Sequence, residues 1–360
     1  MEETLDNTII NEFADYQEDK SVIPLYFNGD AINVLQQIPD NSIDCCITSP
    51  PYWGQRQYSN GGIGLEKSFR EFINNLLDVT SEIQRVLKDT GSFWLNIGDT
   101  YKNKSLTGIP WRIAISMIDE QKWTLRNNVV WNKHKGGMDS SKDRLRNIHE
   151  NIFHFVKKSK GYYYDDESIR TTARKTRVKN GAVVSATGVT GVRYKRQIEL
   201  STSLDETEKV NALKALNGVL AKIQLGEVSD FRMIIRNQQR TTHSNSKKVS
   251  GRAKELAEKG FYFLFYNPKG TLPTDVWDII PEDTQKREKH FAPFPKDLCR
   301  IPILATCPKN GIVLDPFCGT GTAMVVSYEL GRKSIGIDIA NDYLEIAKKR
   351  INGQQTLGIF

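Results

Sequence analysis

The 360-residue chain lacks any apolar run near the ~20 residues that would span a bilayer, so no membrane partner is expected. Its first residues are acidic and polar, without the basic flank and apolar stretch of a secretory leader; a cytoplasmic protein is expected. Cysteine is scarce. Cys45, Cys46, Cys299, Cys307 and Cys318 form no CxxC pair and no His/Cys zinc spacing, which points to reduced core thiols and to no metal. No Gly-Lys-Ser/Thr closes a glycine turn, which excludes an ATP-binding P-loop. The three-glycine spacing of dinucleotide-binding dehydrogenases is missing as well. No internal repeat stands out.

Charge is present, and it is uneven. The net charge is +7, from 50 Lys/Arg against 43 Asp/Glu. Between Lys157 and Lys259 stand 22 basic against 11 acidic residues, about +11, which leaves the remainder near −4. A basic segment inside a mildly acidic body suits a nucleic-acid-reading module on a catalytic core.

Apolar periodicity organises the rest. Val22 to Phe27 reads as a strand, Ala31 to Ile38 as a helix and Ile43 to Ile47 as a buried strand, a unit that favours a parallel sheet. Phe69 to Leu87 reads as a helix, Ser92 to Ile97 as a strand, Ile109 to Ile118 as a helix, and Trp123 to Trp131 and Asn151 to Val156 as strands. Residues 1 to about 20 read as a flexible arm or a loose helix. In the basic segment, Ala182 to Gly191 reads as a loop, and Ser203 with Glu206 fits a capping box for a helix to about Leu225. Alternation returns after Pro273. Helices are expected over Pro295–Ala305, Ala323–Leu330 and Tyr343–Ile351, with strands at Gly311–Leu314 and Ser334–Ile337.

Two turns carry the chemistry. Thr48-Ser49-Pro50-Pro51-Tyr52-Trp53 ends the buried strand, because two prolines cannot continue a ladder. Strand ends in open α/β sheets are where ligands bind. The turn offers the Ser49 hydroxyl, the Pro50 carbonyl and the Tyr52 ring, which are the groups needed to hold a planar base with an exocyclic amine. The polar, glycine-rich Gly54–Gly64 that follows suits a loop closing over substrate. The second turn, Asp315-Pro316-Phe317-Cys318-Gly319-Thr320-Gly321-Thr322, lies between a strand and a helix; its glycines let the backbone approach a ligand. Asp338 ends the next strand, where a carboxylate can accept ribose hydroxyls.

Together these turns resemble the beta group of DNA amino-methyltransferases, of the SPPY type, in which the methionine-loop motif follows the catalytic motif and the target-recognition region lies between them. The resemblance extends to Asn28-Gly29-Asp30, to Arg85 through Ser92, to Asn96-Ile97-Gly98-Asp99, to Trp131-Asn132-Lys133, to His149-Glu150 and to His290 through Pro295. It spans roughly 22–156 and 273–352 and leaves the basic insert aside. It implies a Rossmann-like class I methyltransferase, an α/β fold with a mostly parallel, doubly wound sheet, circularly permuted motif order and an inserted target-recognition domain. The expected division is a catalytic half at 1–156, a DNA-reading insert at 157–270 and a cofactor half at 271–360.

The implied cofactor is S-adenosyl-L-methionine (AdoMet). By the resemblance, Asp315, Phe317, Gly319 and Gly321 border it, Thr320 and Thr322 bond its amino-acid end, Asp338 takes the ribose, Asp30 the adenine edge, and Phe294 and Pro295 wall the pocket. Ser49, Pro50, Pro51 and Tyr52 form the catalytic turn acting on a flipped base. Arg232, Arg236, Arg240 and Arg252 are the candidates for DNA contact, with double-stranded DNA as partner and a cognate restriction endonuclease encoded nearby. Serine at the first motif position resembles the N4-cytosine enzymes; N6-adenine methylation is the alternative, with protein-glutamine or RNA transfer and a non-catalytic binding module further off. C5-cytosine chemistry needs a cysteine at the catalytic turn, which is absent. A prokaryotic or phage, nucleoid-associated enzyme linked to restriction–modification is expected. The paired residues His149 and Glu150 are expected to be structural.

Overall fold

The structure, a computed structural model, describes residues 3–54, 62–134, 141–171, 176–179, 182–184, 190–238, 251–267, 269–281 and 295–356. The chain divides into two compact units, Met1–Ile169 with Thr274–Phe360, and Arg170–Pro273. Residues after Lys157 stay with the larger unit: the N–H groups of Tyr163 and Asp165 donate to the carbonyls of Thr90 and Ala305 at 2.9 and 2.8 Å.

The larger unit opens with α1 (Glu3–Glu18), β1 (Leu25–Asn28), α2 (Ala31–Leu35) and β2 (Ile43–Thr48). It continues with α3 (Phe69–Val86), β3 (Leu87–Ile97), a short hairpin of β4 (Tyr101–Lys102) and β5 (Ser105–Leu106), α4 (Ile109–Asp119), β6 (Thr124–Asn132) and β7 (His149–Val156). The smaller unit holds β8 (Arg177–Lys179), β9 (Ala182–Val184), α5 (Gly191–Glu199), α6 (Glu206–Gln224), β10 (Asp230–Ile235), α7 (Arg252–Lys259) and β11 (Phe261–Tyr266). The larger unit resumes with β12 (Val276–Asp278), α8 (Lys296–Thr306), β13 (Ile312–Asp315), α9 (Thr322–Glu329), β14 (Lys333–Asp338) and α10 (Asn341–Thr356).

Eight strands form the main sheet in the order β1-β14-β13-β2-β3-β7-β6-β12. Only β7 runs against its neighbours. Counted from β13 rather than from the N-terminus, the first seven strands lie in the order 3-2-1-4-5-7-6. A doubly wound sheet has thus been re-opened between its second and third strands, which is the circular permutation expected. The direction of winding reverses between β13 and β2, and such a switch point opens a crevice at the carboxyl ends of the strands.

Burial on both faces explains the unbroken apolar character of the central strands. Every residue of β2 is buried, even Asp44, whose carboxylate accepts the Lys88 ammonium at 2.8 and 2.9 Å and the Ile312 N–H at 2.9 Å. One face of the sheet packs on α2, α3 and α4 through Leu35, Phe72, Leu76, Phe93 and Phe155. The other packs on α8 and α9 through Ile47, Trp94, Leu298, Met324 and Val326. Each such side chain contributes about 1.5–3 kcal/mol on burial.

Three local expectations are corrected. Residues 3–18 are a packed helix rather than a flexible arm. Phe13 is fully buried, the Tyr16 hydroxyl bonds both the carbonyl and the N–H of Ser334, and the Lys333 ammonium caps the carbonyls of Tyr16 and Gln17. The capping box of α6 is Asp205 with Glu208, not Ser203 with Glu206. In the expected loop, Ala182–Val184 is a strand paired with β8, and 185–189 lie outside the described residues. The smaller unit has a core of its own: α5 and α6 cover the antiparallel β10–β11 pair through Tyr194, Ile198, Leu216, Phe231 and Met233.

Candidate active site

The carboxyl ends of β1, β14, β13, β2, β3 and β6 and the amino end of β7 share one edge of the sheet. The serine turn, the glycine turn and the acidic strand ends all reach that edge. The two turns, more than 260 residues apart in sequence, are joined directly: the Thr48 hydroxyl donates to Asp315 Oδ1 at 2.6 Å, and both groups are buried. This bond follows from the pairing of β2 with β13, in which Cys46 lies opposite Leu314. Ser49 and Tyr52 are half-buried beside it, with Pro50 buried between.

Around Tyr52 lies a polar cluster that sequence reasoning missed. The Tyr52 hydroxyl donates to Glu150 Oε2 at 2.7 Å and lies 3.4 Å from both Ser49 Oγ and Asn96 Oδ1. The Asn96 amide donates to the same Glu150 oxygen at 3.1 Å, and the Lys133 ammonium holds the other. Glu150 is buried while His149 is exposed, so the two adjacent residues face opposite sides of β7 and are not a pair. The sequence signal was the family resemblance at Asn96–Asp99, Trp131–Lys133 and His149–Glu150, which gave these residues no role around Tyr52. Gly98 makes room for the ring, since a Cβ there would stand 2.7 Å from Tyr52 Cε2. Trp53 anchors the turn's exit by donating to the Glu66 carbonyl at 2.9 Å. Of the glycine-rich stretch expected to close over substrate, 55–61 lie outside the described residues.

The second turn is built mainly from backbone. Gly319 and Gly321 have φ of 51° and 72°, a region that strains other residues. The Gly319 N–H donates to Asp338 Oδ2 and the Ala340 N–H to Oδ1, each at 2.8 Å. Both carboxylate oxygens therefore keep acceptor capacity, which fits a vicinal diol. Asp30 caps α2, accepting from the N–H groups of Ile32 and Asn33 at 3.0 and 3.3 Å. It adjoins Asp338 through the bond from Gly29 N–H to the Asp338 carbonyl, 3.1 Å. Burial raises the carboxyl pKa of Asp315 to about 7; hydrogen bonds from Thr48 and the Phe317 N–H oppose the rise and the nearby Asp338 adds to it. Burial likewise raises that of Asp338, against the two N–H bonds it accepts. Two carboxyl groups flanking glycines suit a cationic ligand that carries a ribose.

Some of the expected residues carry structural bonds of their own. The hydroxyls of Thr320 and Thr322 are taken up by the Arg350 guanidinium at 3.2 and 3.1 Å, which also holds the Thr320 carbonyl at 2.7 Å. They tie the turn to α10, and each hydroxyl, accepting from the guanidinium, keeps its own proton to donate. Pro295 is buried at the start of α8; Phe294 lies outside the described residues. Phe317 packs on the same core cluster as Tyr52.

In the smaller unit, Arg232 on β10 and Arg252 at the start of α7 are exposed, and Arg240 lies outside the described residues. Arg236, expected at DNA, is instead spent internally. It bonds Glu208 at 2.7 Å and the carbonyls of Ser203, Leu256 and Ala257 at 3.1, 3.3 and 2.8 Å.

A permuted, doubly wound sheet with a glycine turn and an acidic strand end at its switch point defines a class I, nucleotide-cofactor methyltransferase. The chain belongs to the DNA methylase family of N6 and N4 amino-methyltransferases, whose model matches residues 43–349. It is 30% identical to the type II methyltransferase M.Cfr9I of Citrobacter freundii, over 92% of this chain and 88% of that protein. It is 29% identical to the type II methyltransferase M.SmaI of Serratia marcescens, over 90% and 89%. Its fold is that of the solved cytosine-N4-specific PvuII DNA methyltransferase, with a TM-score of 0.54 at 17% identity over 91% of this chain and 86% of that one. Its methyl donor is AdoMet.

Proposed function

We propose that the chain is a type II modification enzyme that transfers the AdoMet methyl group to the exocyclic N4 of a cytosine flipped out of duplex DNA. The observation that carries this reading is the Thr48–Asp315 bond, which holds the serine turn and the glycine turn side by side at the switch point. Serine at the motif's first position favours the cytosine amine; relatives that are type II methyltransferases favour a companion restriction endonuclease in a prokaryotic cytoplasm.

AdoMet supplies an electrophilic methyl group. Asp338 would hold its ribose, the bare backbone of Gly319 and Gly321 would admit it, Asp315 would face its positive charge, and Asp30, Phe317, Pro295 and Phe294 would border it. An arylamine is a weak nucleophile because its lone pair is delocalised into the ring. Ser49 Oγ and the Pro50 carbonyl would accept the two amine hydrogens, drawing the nitrogen towards tetrahedral geometry. Pro51 fixes the backbone that aims this carbonyl. The Tyr52 ring would lie against the extruded base, its tilt set by the bonds to Glu150 and by Gly98. Asn96 and Lys133 position that carboxylate. Orientation and preorganised acceptors would carry most of the rate. The smaller unit, with Arg232, Arg252 and Arg240, would read the target sequence.

The family also embraces N6-adenine enzymes, and adenine N6 presents the same two hydrogens to the same acceptors. Mass spectrometry of nucleosides from DNA methylated by the protein decides between them. N4-methylcytosine is the expected product. N6-methyladenine without it would overturn the choice of base, and label transferred to protein or RNA with none in DNA would overturn the substrate.

A further inference from the structure

Directly after Gly98 the larger unit presents a second face that nothing above uses. Asp99 closes the loop that follows β3. Its carboxylate accepts the N–H groups of Thr100, Gly108 and Ile109 and the Thr107 hydroxyl, at 2.6–3.3 Å. The loop projects the β4–β5 hairpin, whose two-residue tip is Asn103-Lys104 with φ of 51° and 64°. Positive φ at both central residues is the tight hairpin turn whose twist matches the strands, so the tip is conformationally defined although lysine is rare there. Segment 141–148 runs beside it. Asp143 accepts the Lys104 ammonium at 2.9 Å, and the Arg144 guanidinium stacks 3.9 Å above the Tyr101 ring.

This face is basic, and its carboxylates are spoken for. Asp99 is consumed by backbone and Asp143 by Lys104. Among the described residues, no carboxylate pairs with Lys102, Lys142 or Arg146, all exposed. Close by in sequence, Trp111 is 44% exposed while seated edge-on against Phe153, and Leu145 is 91% exposed. The face adjoins the catalytic turn, because the Lys102 ammonium lies 5.2 Å from the Trp53 ring, one residue from Tyr52.

We infer that this face grips the sugar–phosphate backbone of duplex DNA beside the extruded nucleotide, a second DNA-binding surface separate from the smaller unit. The inference rests on the reading of DNA as substrate. Extruding a base costs a few kcal/mol of stacking and pairing, and a grip on the flanking backbone next to the site is what offsets it. Ammonium and guanidinium groups are the usual partners of phosphate, and the exposed rings suit the deoxyribose surface. Charge complementarity also selects DNA over a second copy of this chain, since a two-fold interface would set two basic faces against each other.

The test uses the full-length protein and a fluorescent duplex of mixed sequence, so no recognition site need be known. Affinity is measured across a salt series for the wild type and for Lys102→Gln/Lys142→Gln/Arg146→Gln. Removing one phosphate-binding cation should flatten the slope of log K against log [salt] by about 0.9, hence by up to about 3 for the triple variant, with AdoMet affinity unchanged. In a second measurement, Leu145→Cys is alkylated with and without duplex. The native cysteines are all buried, and DNA should slow labelling at position 145 severalfold. An unchanged slope with no protection while the wild type binds DNA overturns the face alone, as does a triple variant that changes only the sedimenting mass. Failure of the wild type to bind any duplex overturns the DNA reading, and this face with it.

Discussion

The two halves of the active edge are made of different material. On the proposed cofactor side, at β1, β13 and β14, two glycines with positive φ leave the backbone bare beside the carboxyl groups of Asp315 and Asp338. On the proposed acceptor side, at β2, β3, β6 and β7, the Pro50 carbonyl stands beside a bonded cluster of side chains: Ser49, Tyr52, Asn96, Lys133 and Glu150. Thr48 and Asp315 join the halves. A backbone site is broken by adding atoms, and a side-chain site by removing them. The first kind of damage should appear in cofactor binding, the second in turnover.

The largest effect expected tests the acceptor side. Ser49→Ala removes one acceptor of the amine hydrogens and should lower the single-turnover rate by about 10²–10³, the usual cost of one preorganised electrostatic group. Its AdoMet affinity, measured by calorimetry, should be that of the wild type. Gly319→Val is the counterpart. A β-branched residue at φ 51° is strained by about 1–3 kcal/mol, so AdoMet affinity should fall roughly tenfold to a hundredfold before chemistry is affected.

Gly98→Ala sharpens the contrast, because it adds an atom to the acceptor side. The new methyl would stand 2.7 Å from the Tyr52 ring and must displace it. Turnover should drop about tenfold with AdoMet binding spared, as expected when a catalytic group is moved by a fraction of an ångström.

The smallest effect concerns pH. The Asp315 carboxyl is raised to about 7 in the fold, above its ordinary 3.8, chiefly by burial. A raised pKa means that the fold binds this proton more tightly than the unfolded chain does. Its contribution to stability is full below about 4 and is lost as pH rises through about 7. The cofactor's cation prefers the ionised carboxylate, so AdoMet affinity should strengthen severalfold from pH 6 to 8. Asp315→Asn should flatten that dependence in a calorimetric titration, and an unchanged profile would show that this carboxyl does not face the cofactor.

How much of this was legible in the sequence divides along the same line. Turns made of proline and glycine are local statements about φ, and their positions at strand ends could be read directly; the permuted order of the motifs followed from the family resemblance. The acceptor cluster could not. Asn96, Lys133 and Glu150 meet Tyr52 only because β7 runs antiparallel between β3 and β6, a pairing that no local pattern specifies. The same limit explains Arg236, whose Glu208 partner lies on another element. Two candidate capping boxes overlap at 203–208; Asp205 wins because the Ser203 hydroxyl is engaged by the Arg236 carbonyl at 2.5 Å. Thr320 and Thr322 match the motif, but a residue on the last helix claims their hydroxyls. The N-terminal helix looked loose because its anchors, Lys333 and Ser334, lie more than 300 residues away.

The most direct test is a crystal structure of the protein with AdoMet bound. The ribose hydroxyls should lie on Asp338, the backbone of Gly319 and Gly321 against the cofactor, and the donor methyl group should point at the Ser49–Pro50 acceptor pair. A cofactor seated away from the β13–β2 switch point, or with its methyl group turned from Ser49, would contradict the proposed function.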